Sequence, residues 1–169
     1  MADPHHRLAV IRHAKAEQTA ASDFERQLTS RGRSDAVAAG AWLAEAGVVP
    51  DKALVSAAPR AAQTWDGLAA GADWTVDADL DRGLYSAGPD TALDVLRSLD
   101  EDCACAVIVG HNPTMEILAQ LLDDGEGDAE AGNEMAAGFP TSAVAVFDVT
   151  GPWVELESAR LVGFHVGRA

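Results

Sequence analysis

Short apolar runs, each followed at once by polar or charged residues, constrain the fold of this chain more than any other feature. Three of them cover residues 8–11, 53–56 and 104–109, and each has the length and composition of a buried strand. Longer segments separate these runs, as in a parallel sheet covered by helices on both faces. Two later runs, 142–149 and 154–162, follow each other without an intervening helix, so at least one antiparallel pair is expected. The sequence therefore predicts an α/β fold, a three-layer α/β/α sandwich around a mostly parallel sheet.

Capping and stop signals predict four helices between these runs. The first is capped by Thr29 and extends to about residue 46, before a glycine. Two others begin at prolines and cover 59–70 and 89–99. The fourth covers 113–122, with Asn112 as its expected cap.

The chain length predicts one domain. Its 169 residues, 48% of them apolar, are enough to bury a core of their own. We expect a single domain over residues 1–169, with a flexible N-terminus at 1–6. Residues 123–138 are acidic and rich in glycine, which predicts a solvated loop and raises the question whether it acts as a lid.

The charge of the chain excludes several classes of partner. The formal net charge is −15, from 12 Lys and Arg against 27 Asp and Glu, which argues against binding to nucleic acid or to an anionic membrane surface. Neither a membrane-spanning stretch nor a signal peptide is recognisable, so we expect a cytoplasmic protein, acting as a monomer.

Cationic side chains follow three of the predicted strands. Arg12 and His13 come after the first run, Arg60 comes shortly after the second, and His111 follows the third. Ligands of open α/β sheets bind beyond the carboxyl ends of the strands, so these residues are expected to share one crevice. The two arginines have the geometry that clamps phosphate oxygens. One histidine can then act as a nucleophile while the other, protonated, holds a phosphate oxygen, and the pattern leaves open which is which.

Two neighbouring residues are candidates for substrate binding. Lys15 would contribute positive charge at the mouth of the pocket, the alternative being a solvated loop lysine. Asn112 is adjacent to His111 and is the second candidate, in addition to its expected capping role.

Four segments in this order resemble the histidine phosphatase superfamily, which has a phosphoglycerate mutase-like fold, and within it the short SixA-like phosphohistidine phosphatase branch. Residues 10–15 (Val-Ile-Arg-His-Ala-Lys) resemble the opening Arg-His-Gly signature, with Ala14 in place of the glycine. Residues 23–32 resemble the next segment of this branch. Residues 56–64 resemble the second arginine motif of the family, and residues 109–113 resemble its second histidine motif.

The resemblance implies a two-step reaction without a metal or another cofactor. His13 would take the phosphoryl group, and water would release it as inorganic phosphate. Arg12, Arg60 and His111 would bind the phosphoryl oxygens.

One element of the larger family members is missing from this chain. Those members carry a glutamate proton donor after their third strand, and no glutamate occurs between residues 73 and 98 here. Asp81 is the possible general acid in that region, and Tyr85 is a weaker candidate. An imidazole leaving group can already carry its proton, whereas an alkoxide needs one, so the absence favours phosphohistidine as the substrate.

Three functions remain open on the sequence alone. The first is a phosphatase that removes phosphate from histidine on a signalling or phosphotransfer protein, which the absence of an inserted cap over the pocket also favours. The second is a phosphatase of a small phosphomonoester or of a nucleotide-derived substrate. The third is a phosphate-binding module without catalytic activity.

Overall fold

A six-stranded mixed sheet forms the centre of the molecule, and its strand order is β3-β2-β4-β1-β5-β6. The computed structural model describes residues 5–169. The strands are β1 (His5–Arg12), β2 (Lys52–Ser56), β3 (Ala78–Asp81), β4 (Cys105–Gly110), β5 (Ala143–Thr150) and β6 (Arg160–Val166). Strands β3, β2, β4 and β1 are parallel to one another, whereas β5 pairs antiparallel with β1, and β6 pairs antiparallel with β5. The predicted mostly parallel sheet with an antiparallel pair is confirmed.

Helices cover both faces of the sheet. They are α1 (Ser30–Glu45), α2 (Pro59–Ala72), α3 (Pro89–Arg97), α4 (Thr114–Leu122) and α5 (Ala129–Ala137). Side chains alternate between the two faces along a strand, so Ile11 packs with α1 and α2 while Val10 packs with α3, α4 and α5. The three-layer α/β/α sandwich is therefore confirmed. No helix within residues 5–169 is long and apolar enough to cross a membrane.

Local signals explain where the site-bearing elements begin. The Thr29 hydroxyl accepts a hydrogen bond from the Gly32 backbone N–H at 2.9 Å, which starts α1 as its capping role predicts. Pro59 occupies the first turn of α2, where its missing N–H costs nothing. Helices α1 and α2 pack so closely that a Cβ on Gly40 would lie 2.1 Å from the Leu68 carbonyl oxygen.

The prediction of a loop over residues 123–138 is wrong for its second half. Residues 129–137 form α5, capped by the Asp128 carboxylate, which accepts from the Ala131 N–H at 2.8 Å. Ala131 and Met135 are four residues apart and are both buried, so they form the apolar side of a short helix. The acidic and glycine-rich composition concealed this small apolar side.

The expectation of a flexible N-terminus at 1–6 is wrong for its last two residues, and residues 1–4 lie outside the described part of the chain. His5 and His6 belong to β1 and pair with β5. The His6 ring is 4% exposed and stacks on Trp153 with ring centroids 4.6 Å apart. Strand pairing and this stacking hold the segment in place.

Several predicted boundaries shift, and one strand was missed. α2 extends to Ala72, α3 ends at Arg97, and α4 begins at Thr114. The Asn112 side-chain oxygen accepts from the Glu116 N–H in the first turn of α4 at 3.3 Å, in agreement with its expected capping role. The run at 154–162 contributes a strand only from Arg160, because a short 3₁₀-helix precedes it. Strand β3 escaped prediction because it is an acidic, largely exposed edge strand.

Candidate active site

The carboxyl ends of three neighbouring strands bring the predicted motifs together. β2, β4 and β1 are adjacent in the sheet and end at Ser56, Gly110 and Arg12. The His13 N–H donates to the Gly110 carbonyl at 3.0 Å, so the loops after β1 and β4 remain side by side. The rings of His13 and His111 consequently lie 5.2 Å apart, centroid to centroid, with a tilt of 56°.

His13 is held in one tautomer and in its neutral form. Its ring is 7% exposed, and burial lowers its pKa from 6.5 to about 3. Its Nδ1 lies 2.7 Å from the Ala14 carbonyl oxygen, which can only accept, so Nδ1 carries the hydrogen. The remaining nitrogen, Nε2, therefore has a free lone pair, which a nucleophile at this position requires.

His111 is neutral for the same reason, which differs from the expectation that one histidine stays protonated. Burial, followed by the charge of Arg60, lowers its pKa to about 4. Its Nε2 lies 2.7 Å from the Ser56 hydroxyl, which also accepts from the Ala58 N–H at 3.3 Å. Ser56 is fully buried, and Nε2 is the one acceptor within hydrogen-bond distance of its hydroxyl among residues 5–169, so the hydroxyl donates to Nε2 and the neutral ring carries its hydrogen on Nδ1. His111 remains a hydrogen-bond donor without a formal charge.

The two arginines are anchored by backbone carbonyls. Arg60 is 5% exposed and donates through Nη1 to the Asp23 carbonyl at 2.7 Å. Arg12 donates through Nη1 to the Phe139 carbonyl at 3.2 Å, and burial lowers its pKa. Asn112 donates to the same Phe139 carbonyl at 2.9 Å. One loop carbonyl therefore orients both Arg12 and Asn112.

Three buried donors in this cluster have no acceptor among residues 5–169. They are Nε of Arg12, Nε of Arg60 and Nδ1 of His111. Buried donors without partners are rare and costly, and they mark places where a ligand supplies the acceptor. Each of the three donors suits an anionic oxygen, and a phosphoryl group carries three such oxygens. The cluster has the donor set of an oxyanion site.

Asp23 and Tyr85 also belong to the site, although the sequence assigns no role to Asp23 and makes Tyr85 only the weaker candidate acid. The carboxylate of Asp23 accepts from Tyr85 Oη at 2.6 Å and from Arg60 Nη2 at 3.1 Å, and these contacts, with the Tyr85 bond as the largest cause, lower the pKa of Asp23. The Tyr85 ring stands edge-on to His111, with centroids 5.4 Å apart. Phe24 in turn packs edge-on against Tyr85 at 4.9 Å. The position of Asp23 in a family-like segment was the only signal in the sequence.

The remaining predicted residues lie at the edge of the cluster. Asp81 ends β3, is exposed, and accepts from the Gly83 N–H at 2.7 Å. It has no hydrogen bond or ion pair with the two histidines among the described residues. Lys15 is exposed, and its carbonyl accepts from the Thr29 N–H at 3.0 Å. Within residues 5–169 no three His, Cys, Asp or Glu side chains are grouped to hold a metal ion.

Comparison with known proteins agrees with this geometry. The model of the histidine phosphatase superfamily, branch 1, matches residues 8–85. An uncharacterized protein of Mycobacterium leprae is 35% identical over 167 residues, covering 94% of this chain and 100% of that protein. An uncharacterized protein of Mycobacterium tuberculosis strain H37Rv is 37% identical over 164 residues, with the same coverage of 94% and 100%. The chain belongs to the histidine phosphatase superfamily, a family of hydrolases.

Solved structures define its place in that family more closely. The structure of a putative phosphohistidine phosphatase SixA from Nakamurella multipartitia has a TM-score of 0.87 and 28% identity, with 100% of both chains covered. A putative phosphohistidine phosphatase SixA from Agrobacterium tumefaciens has a TM-score of 0.77 and 28% identity, covering 95% of this chain and 98% of that one. The chain is a member of the SixA-like branch, with a phosphoglycerate mutase-like fold.

Proposed function

We propose that this protein removes phosphate from phosphohistidine on a signalling or phosphotransfer protein, with His13 as the nucleophile, and that residues 1–169 act as one catalytic domain. The observation that carries the proposal is the pairing of a neutral His13, whose Nε2 lone pair is free, with three buried donors lacking acceptors. The similarity to putative SixA phosphatases supports the same substrate class.

In the first step the Nε2 lone pair of His13 attacks phosphorus. A bond forms between Nε2 and phosphorus, the bond from phosphorus to the substrate imidazole breaks, and its electron pair returns to that imidazole. The developing negative charge on the phosphoryl oxygens is stabilised by Arg12, Arg60 and His111. The positive charge on the phosphorylated His13 ring is stabilised by the Ala14 carbonyl, which accepts from Nδ1.

In the second step water attacks the same phosphorus atom. The Nε2–phosphorus bond breaks, its electron pair returns to His13, and one proton of the water leaves with the product phosphate or with the solvent. His13 is then ready for another cycle, and the arginines keep their charge throughout. No oxidant or reductant is needed.

The leaving group is the reason for preferring phosphohistidine. Asp81 is engaged with the Gly83 N–H, and Asp23, ionised and bound to Arg60, is a poor proton donor. An imidazole that carries a proton on its other nitrogen departs without a donor from the enzyme, whereas an alkoxide does not. The ring of Tyr85, close to His111, offers an aromatic surface for the substrate imidazole.

The experiment compares phosphate release from a phosphohistidine peptide and from a phosphoserine peptide of the same sequence, with a chelator present. We expect release from the phosphohistidine peptide only, and its loss in His13→Asn. A matched control is His165→Asn, because His165 lies on β6 and stacks on Trp42 at 4.9 Å, away from the cluster.

Two outcomes would replace the proposal. Comparable release from sugar phosphates or nucleotides, with none from phosphohistidine, would make the protein a small-molecule phosphatase. Phosphate binding without turnover of any substrate would make it a phosphate-binding module.

A further inference from the structure

A second cationic cavity lies beside the phosphate cluster. It has a volume of about 430 Å³ and is lined by Lys15, Arg31, Asp35, Thr141 and Arg168. Three of its five lining residues are cations, in a chain that has only 12 Lys and Arg and a net charge of −15. The mechanism described above uses none of the three.

The single carboxylate of the cavity leaves most of its donors available. Asp35 is 2% exposed, and its oxygens lie 3.6 Å from Nε of Arg31 and 3.5 Å from Nη1 of Arg168. Arg31 directs only its Nε at Asp35, whereas Arg168 Nη1 also donates to the carbonyls of Thr141 at 3.0 Å and Gly167 at 2.7 Å. A guanidinium has five N–H groups, so Nε and Nη2 of Arg168 still offer three. Lys15 has no carboxylate within 4.0 Å of its ammonium group among residues 5–169. The buried Asp35 and the two backbone carbonyls therefore orient the arginines and leave most of their N–H groups available.

Backbone contacts fix this cavity relative to His13. Lys15 follows His13 by two residues, which limits the distance between their Cα atoms to about 7 Å. The N–H of Ser142, next to the cavity residue Thr141, donates to the His13 carbonyl at 3.1 Å. Helix α1, which carries Arg31, packs closely against the loop after His13, since a Cβ on Gly32 would lie 2.1 Å from the Lys15 carbonyl oxygen. Backbone contacts therefore hold the cavity next to the nucleophile.

We propose that this cavity is a specificity subsite, which binds a glutamate or aspartate side chain of the substrate protein within about three residues of its phosphohistidine. The inference rests on the proposed function, because it supplies the substrate with a second anchor. Carboxylates are the anions that a protein substrate presents, and forked guanidinium groups bind them in two-point fashion. In a strongly acidic enzyme, such a local reversal of charge also directs an acidic partner to the correct orientation.

The test uses peptides that carry a non-hydrolysable phosphonate analogue of phosphohistidine. One glutamate is placed at each position from three before to three after the analogue, and each peptide is paired with one that has glutamine there. Isothermal titration calorimetry gives the dissociation constants. We expect the wild-type protein to bind the best glutamate peptide about three- to ten-fold more tightly than its glutamine partner.

Variants with and without the cavity arginines separate the cavity from general electrostatics. In Arg31→Gln and in Arg31→Gln/Arg168→Gln the preference should fall progressively toward one. Arg33→Gln is the matched control, since Arg33 is exposed on the same helix, does not line the cavity, and should keep the wild-type preference. Circular dichroism and thermal melts establish that each variant is folded.

The outcomes distinguish the two proposals. Equal binding of glutamate and glutamine peptides at every position, or a preference unchanged in Arg31→Gln and in the double variant, overturns the subsite. If the peptides bind equally well with and without the phosphonate, the proposed function fails. The glutamate preference still decides the subsite in that case, because paired peptides differ only in that side chain.

Discussion

Because His13 is buried in its neutral form, acid should lower the free energy of unfolding of the protein. The substitution His13→Asn should remove this contribution. In the unfolded chain a histidine takes up a proton near pH 6.5, but in the folded protein the pKa of His13 is about 3. Between these values the unfolded state binds more protons, so the free energy of unfolding rises with pH. The stability from this group is fully present above pH 6.5 and is lost as the pH falls toward 3.

The expected magnitude follows from this pKa difference. On going from pH 8 to pH 5, His13 alone should lower the free energy of unfolding by about 2 kcal/mol. Asparagine does not titrate, and its amide can donate to the Ala14 carbonyl as Nδ1 of His13 does. The loss of stability from pH 8 to pH 5 should therefore be about 2 kcal/mol smaller in His13→Asn than in the wild type.

Urea unfolding at the two pH values measures this difference. With a typical dependence on urea concentration, about 2 kcal/mol corresponds to a difference of roughly 1 M between the midpoint shifts of the two proteins. His111, whose pKa is also lowered by burial, is present in both proteins and cancels from the comparison. Equal losses in the wild type and the variant would refute the assignment of a buried, neutral His13.

Four further substitutions test the fold and the site. Thr64→Val removes a buried hydroxyl that accepts from the Ala14 N–H at 2.9 Å and donates to the Arg60 carbonyl at 2.7 Å. The free energy of unfolding, measured with urea at pH 8, should fall by about 1–3 kcal/mol. Arg60→Lys keeps the charge but loses the planar fork, so kcat/KM on a phosphohistidine peptide should fall about 100-fold or more in protein that circular dichroism shows to be folded. Gly32→Ala would place a Cβ 2.1 Å from the Lys15 carbonyl oxygen and should lower the thermal midpoint. Gly132 lies inside α5, and a Cβ there would have no neighbour within 4 Å, so Gly132→Ala should raise the thermal midpoint.

The convergence of the motifs was predictable because it depends on a general property of parallel sheets. Each motif lies at or just after the end of a strand: Arg12 and His13 at β1, Arg60 after β2, and His111 after β4. Adjacent parallel strands end at the same edge of the sheet. The neutral state of both histidines was not predictable, since it depends on how deeply the finished fold buries them.

The supporting cluster around the arginines depends on contacts between distant segments. Asp23 and Tyr85 are 62 positions apart, and their hydrogen bond forms only when the loop after β1 packs against the turn after β3. Neither segment has a periodic pattern that points to the other. The acidic segment at 123–138 was misinterpreted for a related reason, because tertiary burial of Met135 outweighs its polar composition.

The phosphoryl group should be found on His13 of the enzyme during turnover. The wild-type protein and His13→Asn are mixed with a phosphohistidine peptide, quenched in base to preserve phosphohistidine, and analysed by mass spectrometry with peptide mapping. We expect a protein heavier by one phosphoryl group, with the modification on His13 and none in the variant. Turnover without any phosphorylated enzyme, or a phosphoryl group located on His111, would contradict this expectation.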